Sequence, residues 1–139
     1  MSEIGGYILR IKDEQWVNHV FDMAIYYSSL NRKWSSGQTI LFIHNSPLGD
    51  AFVGYGVISR DRQKRYLPEE EKAQCERGGW KRAVEFKYVV RFEKPLLIRE
   101  TILASSKLRG KFLHGLKLSP EQVQAIVRQA ESLLDNQKP

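Results

Sequence analysis

The chain of 139 residues contains a single cysteine, Cys75. One thiol excludes an internal disulfide framework and a Cys-rich zinc site. Long apolar runs are missing as well, and none approaches the roughly 20 residues that a membrane helix needs. The opening stretch MSEIGGYILRIKDE has neither the charged start nor the apolar segment of a signal peptide. A cytoplasmic protein without membrane association is the expectation. Enzyme signatures are equally scarce: there is no phosphate loop, no nucleophile elbow and no G-x-G-x-x-G. The three histidines, His19, His44 and His114, show no metal-ligand spacing. Each reads as structural or superficial, and Cys75 as a surface or half-buried thiol. No cofactor and no metal is called for.

Positive charge is present in excess. Lys and Arg total 22 against 16 acidic residues, a net charge of +6. Such a surface favours polyanions, nucleic acid above all. The apolar share of 42% and charged share of 27% suit one globular domain with one core. Neither a linker nor a repeat divides the chain.

Periodicity outlines the elements. Tyr7 to Ile11 predicts a first strand, and Asp13 a cap for a helix burying Trp16, Val17, Val20 and Phe21. Ile25 to Ser28 reads as a short extended piece. TILFIH, Thr39 to His44, predicts a central strand buried on both faces. NSPLGD supplies a turn, Asn45 to Asp50, into AFVGYGVIS, Ala51 to Ser59, completing a hairpin. Alternation puts Phe52, Gly54, Gly56 and Ile58 on one face, so the glycines leave a bare strip that a helix or a flat ligand can approach. Arg60 to Gly79 is a polar insertion whose helix starts at Pro68 and ends at Gly78 and Gly79. Val84, Phe86, Tyr88, Val90 and Phe92 alternate as one face of a strand closed by Pro95. Ser119, Pro120 and Gln122 form a capping box for a last helix with the stripe Val123, Ile126, Val127, Ala130, Leu133 and Leu134. The order predicts a mixed α+β domain, a curved sheet or partial barrel with flanking helices.

Aromatic residues fall among polar, small and basic ones: Tyr26, Tyr27, Trp34 and Trp80. Basic groups flank the same loops, at Arg32 and Lys33, at Arg60, Arg62, Lys64 and Arg65, at Lys81 and Arg82, and at Lys107, Arg109 and Lys111. Plugs for the end of a barrel would use the same aromatics, and a solvated face the same charges. Together, stacking rings ringed by cations are the pattern of a base pocket with phosphate contacts.

From Tyr7 to Leu134 the chain resembles the PUA-like superfamily, and most of all its EVE and YTH branch. IYYSS stands where YTH domains carry an Ile-Trp-Cys-Ser-Thr-like stretch and EVE domains a Val-Trp-Gly-like one. SSGQTILFIH and AFVGYGVIS resemble the turn and strands that follow. GGWKRAVEFKYVVRFEKPLLI resembles the later strand with its Trp-Lys start, and KLRGKFLHGLKLSPEQVQAIV the closing loop and helix. The resemblance implies one PUA-like domain over residues 1–139, with the insertion at 60–79. It also implies a module that takes a flipped base, modified or plain, into an aromatic pocket. Tyr26 takes the place of a cage tryptophan, Ser28 lies near the base edge, Trp80 forms the opposite wall, and Ile58 stands where a second cage tryptophan is usual. The implied pocket is Tyr26, Tyr27, Ser28, Trp34, Gly54, Gly56, Ile58 and Trp80, with the Gly54/Gly56 strip as its floor. Phosphates would meet Arg32, Lys33, Arg62, Lys64, Lys81, Arg109 and Lys111. RNA is favoured over DNA. Two alternatives stand beside this reading. One is a small ASCH-like hydrolase or nuclease, for which Lys87 and Glu85 are the nearest strand pair. The other is a domain that binds a peptide or small molecule.

Overall fold

The computed structural model of the chain describes residues 4–30, 34–104 and 113–135, the side chains of 134 and 135 apart. Six strands form one mixed sheet. They are β1 (Gly6–Arg10), β2 (Ile25–Ser28), β3 (Thr39–Ser46), β4 (Gly49–Gln63), β5 (Arg82–Leu97) and β6 (Lys117–Leu118), in the order β2-β5-β4-β3-β1-β6. β1 and β3 run parallel and the other pairs antiparallel, and among the described residues the edge strands β2 and β6 do not pair, so the sheet is open.

The apolar run of β3 has the burial it predicts. Ile40, Leu41, Phe42 and Ile43 are all fully buried between β1 and β4. Their side chains alternate between two cores. Ile40 and Phe42 join Tyr7, Leu9, Ile58, Val84 and Phe86 beneath helix α1 (Glu14–Met23), which contributes Val17 and Val20. Leu41 and Ile43 join Ile8, Phe52, Leu96 and Leu118 beneath helix α3 (Pro120–Asp135), which contributes Val123, Ile126 and Ala130. A third, smaller cluster of Tyr27, Leu67, Cys75 and Ala83 seats helix α2 (Glu69–Gly78). Helices thus cover both faces of the sheet.

Local chemistry explains the helix ends. The capping box forms as expected: the Ser119 N–H donates to Gln122 Oε1 at 2.9 Å, and the Gln122 N–H to Ser119 Oγ at 3.2 Å. Asp13 is the residue before α1, but its side chain makes no capping bond. Gly79 ends α2 in the left-handed region at φ 72°, a conformation that glycine adopts without strain. Ala24 does the same for α1 at φ 57°, and its carbonyl accepts the Phe86 N–H at 3.0 Å. That turn swings the chain directly from α1 into β2.

Bulges overturn two expectations about faces. The β3–β4 register shifts between Phe42 and Ile43, leaving Val53 without a partner residue. Phe52 therefore faces the α3 core, away from Gly54, Gly56 and Ile58. In β5, Tyr88 pairs with Val57 and Phe86 with Ile58, which leaves Lys87 as the extra residue. One extra residue moves every later side chain to the other face. Val84 and Phe86 are buried, whereas Tyr88 and Val90 are exposed and Val89 packs under α1. Boundaries shift too. Arg60 to Gln63 belong to β4, paired with Arg82 to Glu85, so the segment outside the sheet begins at Lys64 and not at Arg60. The hairpin turn is confined to Pro47 and Leu48, and β5 continues through Pro95 to Leu97. Cys75 is fully buried. Burial, and then Glu71 nearby, raise its pKa.

Candidate functional site

A cleft of about 480 Å³ opens where α1, β2 and the end of β1 meet. Helix α1 supplies Trp16, His19 and Val20. β2 supplies Ile25, Tyr26 and Tyr27, with Ser29 just beyond. The end of β1 gives Arg10, and the turn after it Ile11, Lys12 and Asp13. Trp80 enters from the end of α2, and His114 from the chain before β6.

Helical spacing stacks Trp16 and His19 on one side of α1, three residues apart. Their rings meet at 5.1 Å between centroids. The tight turn at Ala24 then lays β2 alongside. Tyr27 lies nearly parallel to Trp80, with centroids 5.2 Å apart and 16° between the planes. Trp16 meets Trp80 edge to face at 4.8 Å and Tyr27 at 6.4 Å. Such pairs contribute about 0.5–1.5 kcal/mol each beyond simple burial. Gly78 makes room for this cluster, since a Cβ there would come within 2.7 Å of the Trp80 ring. Tyr26 lies over Phe42 at 6.1 Å, and burial pushes its phenol pKa up. The Tyr27 hydroxyl donates to Glu71 Oε1 at 3.2 Å. Burial first, and then Glu71, push its pKa up to about 12.

The polar groups of the cleft are unequally satisfied. His114 Nδ1 accepts the Arg10 backbone N–H at 2.9 Å, which puts the neutral ring's proton on Nε2. His19 Nε2 and Arg10 Nε are buried without a hydrogen-bond partner among the described residues. Both atoms are shut off from solvent, and the Arg10 guanidinium also lies 3.7 Å from Asp50. His44, by contrast, is engaged at Ile11 O, 2.8 Å away.

Of the pocket expected from the sequence, the structure brings Tyr26, Tyr27 and Trp80 together. Ser28 is fully buried, and its Oγ accepts the Leu30 N–H at 3.1 Å. Trp34 is 3% exposed and packs edge to face on Tyr7 at 4.9 Å, inside the α1 core. Ile58 is fully buried there as well. The glycine strip is no floor: a Cβ on Gly54 would strike the Phe21 ring and the Val90 carbonyl, and one on Gly56 would strike Phe86. Close packing filled the strip. Trp80 lies against Tyr27 rather than facing Tyr26 across a gap. Trp16, His19 and Arg10 were missed, because α1 and β1 read from sequence as elements of the core alone. The i, i+3 pairing of Trp16 with His19 was the available signal.

The expected phosphate contacts divide. Arg32, Lys33, Arg109 and Lys111, like Lys107, lie outside the described residues. Arg62 donates to Tyr66 O at 3.0 Å and sits 3.9 Å from Glu85, which also binds Arg60. Glu85 is thus held by arginines, and Lys87, exposed at its bulge, makes no pair with it. Lys64 and Lys81 share a separate concavity of about 270 Å³ with Gln63, Arg65 and Arg82. Among the described residues no group of three or more His, Cys, Asp and Glu could hold a metal ion, and no helix is long and apolar enough to cross a membrane.

No protein-family model and no curated protein matches the sequence. Solved structures do match the fold. A mutant of the ASCH protein from Zymomonas mobilis superposes with a TM-score of 0.64 at 10% identity, over 93% of this chain and 99% of its own. A hypothetical protein from Leishmania major gives 0.62 at 16% identity, over 95% and 98%. The YTH domain-containing protein mmi1, solved in complex with RNA, gives 0.59 at 13% identity, over 96% and 90%. At such identities the likeness is one of fold alone, shared with these ASCH and YTH domain structures.

Proposed function

We propose that the chain is an EVE/YTH-type module that binds single-stranded nucleic acid, RNA in preference to DNA, with one base held in the α1–β2 cleft. The observation that carries this reading is the cleft itself, in which Trp16, Tyr26, Tyr27 and Trp80 stand beside the polar side chains of Arg10, His19 and His114. Rings supply sequence-tolerant stacking, worth about 1–3 kcal/mol per base. An RNA complex of the similar mmi1 fold agrees with this use of the architecture. A net charge of +6 agrees with a polyanionic partner.

Tryptophan fluorescence tests the reading, since Trp16 and Trp80 line the cleft and Trp34 is buried apart from it. In a Trp34→Phe background, short single-stranded RNA and DNA, plain and N6-methylated, are titrated at two salt concentrations. Quenching that weakens with salt and disappears in Trp80→Ala is the expected result. No quenching by any oligonucleotide would overturn it and favour a peptide or small molecule as the cleft's guest.

A further inference from the structure

The concavity beside the cleft has a charge arrangement that the fold does not need. Lys64 and Lys81 face each other just past the last ladder pair, Gln63 with Arg82, and the Lys64 N–H donates to the Lys81 carbonyl at 3.0 Å. Like charges directly opposite on neighbouring strands repel. Arg65 adds a third cation at the same rim. No carboxylate lies within salt-bridge distance of Lys64, Arg65 or Lys81 among the described residues. Arg82 is different, because its guanidinium is paired with Asp61 at 2.7 Å. Asp61 also accepts the Trp34 N–H at 3.0 Å, so this buried pair fixes the concavity's wall. Lys64 and Lys81 therefore border the hollow together with Arg65, whose guanidinium lies 4.8 Å from the Tyr66 ring, and with Gln63 as a neutral lining residue.

The hollow adjoins the cleft. Trp80 lines the cleft and Lys81, the next residue, lines the hollow. The Lys81 N–H is itself fixed by Ser28 O at 2.8 Å, between the cleft residues Tyr27 and Ser29. The cleft and the hollow are thus lined by neighbouring residues of one short segment, Trp80 and Lys81.

We infer that Lys64, Arg65 and Lys81 form a phosphate subsite that takes the backbone phosphate adjoining the base in the cleft. The ligand class is therefore a strand, not a free nucleoside. This inference rests on the base-cleft reading, and its test separates the two. A single-stranded RNA hexamer and the corresponding nucleoside are titrated against the chain and against a Lys64→Ala/Arg65→Ala/Lys81→Ala variant, with cleft fluorescence as the readout. The variant is expected to bind the hexamer about tenfold or more weakly, the scale of lost charge-assisted hydrogen bonds. Its dependence of log affinity on log salt should flatten by about 0.7, the value of one single-strand phosphate. Nucleoside quenching should not change. Inorganic pyrophosphate at matched ionic strength is expected to raise the melting temperature of the natural chain and not of the variant. Equal hexamer affinity and equal salt slope in both proteins would overturn the subsite and leave the cleft reading standing. Absence of quenching by hexamer and nucleoside alike in the natural chain would overturn both.

Discussion

Tyr27 joins the site to stability at the scale of a single residue. Its phenol is buried against Trp80 and bonded to Glu71, and its pKa is pushed up to about 12 from the ordinary value near 10. Between those two values the unfolded chain has released this proton and the folded chain retains it. With fewer protons on the unfolded state, stability falls as pH rises from about 10 to about 12. Tyr27→Phe should flatten that fall when urea unfolding is followed from pH 9 to pH 12. It should not abolish it, because Tyr26 is raised by burial too. An unchanged pH slope in the variant would show that the phenol contributes nothing. Aromatics beside serines and double glycine stand out locally, and Tyr26, Tyr27 and Trp80, singled out on that ground, line one cleft. Trp34 has the same kind of neighbours, yet it is a core residue. Its place follows from the backbone bond to Asp61 and from the Tyr7 ring, both distant in the chain.

At the scale of elements, legibility follows how local the controlling chemistry is. The capping box of α3 needs only Ser119 and Gln122, and both bonds form. Ser119→Ala removes one of them and is expected to cost about 1 kcal/mol, read as a lower midpoint in chemical denaturation with an unchanged slope. Cleft fluorescence should stay the same, since α3 packs on the opposite face of the sheet. β2 was also legible, matching Ile25 to Ser28 at both ends. β5 was not, although its alternation is as clean as any in the chain. Where Lys87 is extruded depends on how β4 and β5 align over sixteen residues of β5, and a pairing register is not written in either strand alone. The glycine strip failed for a related reason. The pattern announced a close approach, but only the packing of α1 made Phe21 and not a ligand the group that approaches.

Across the whole molecule, the sheet carries a core on each face. The α3 side also has a hollow of about 290 Å³ lined by Tyr55 and Tyr88, and the α1 side has the larger cleft of about 480 Å³. Composition and element order were enough to expect a curved sheet with flanking helices, but the strand order and the position of the opening depend on long-range pairing. Phe42 and Phe52 allow the two faces to be compared, since both are fully buried phenylalanines on adjacent central strands. Phe42 lies under the α1 face, in ring contact with Phe21, Tyr26 and Phe86. Phe52 lies under α3. Replacing either by leucine shortens a core side chain without introducing a polar group, at an expected cost of roughly 1–2 kcal/mol. Denaturation midpoints should therefore fall in both variants. Only Phe42→Leu removes the ring on which Tyr26 lies, so only that variant is expected to weaken oligonucleotide quenching of Trp16 and Trp80 under conditions where both proteins remain folded. Equal loss of binding in the two would mean that the cleft depends on the stability of the sheet as a whole, and equal retention would mean that Tyr26 is held by β2 without its underlying ring.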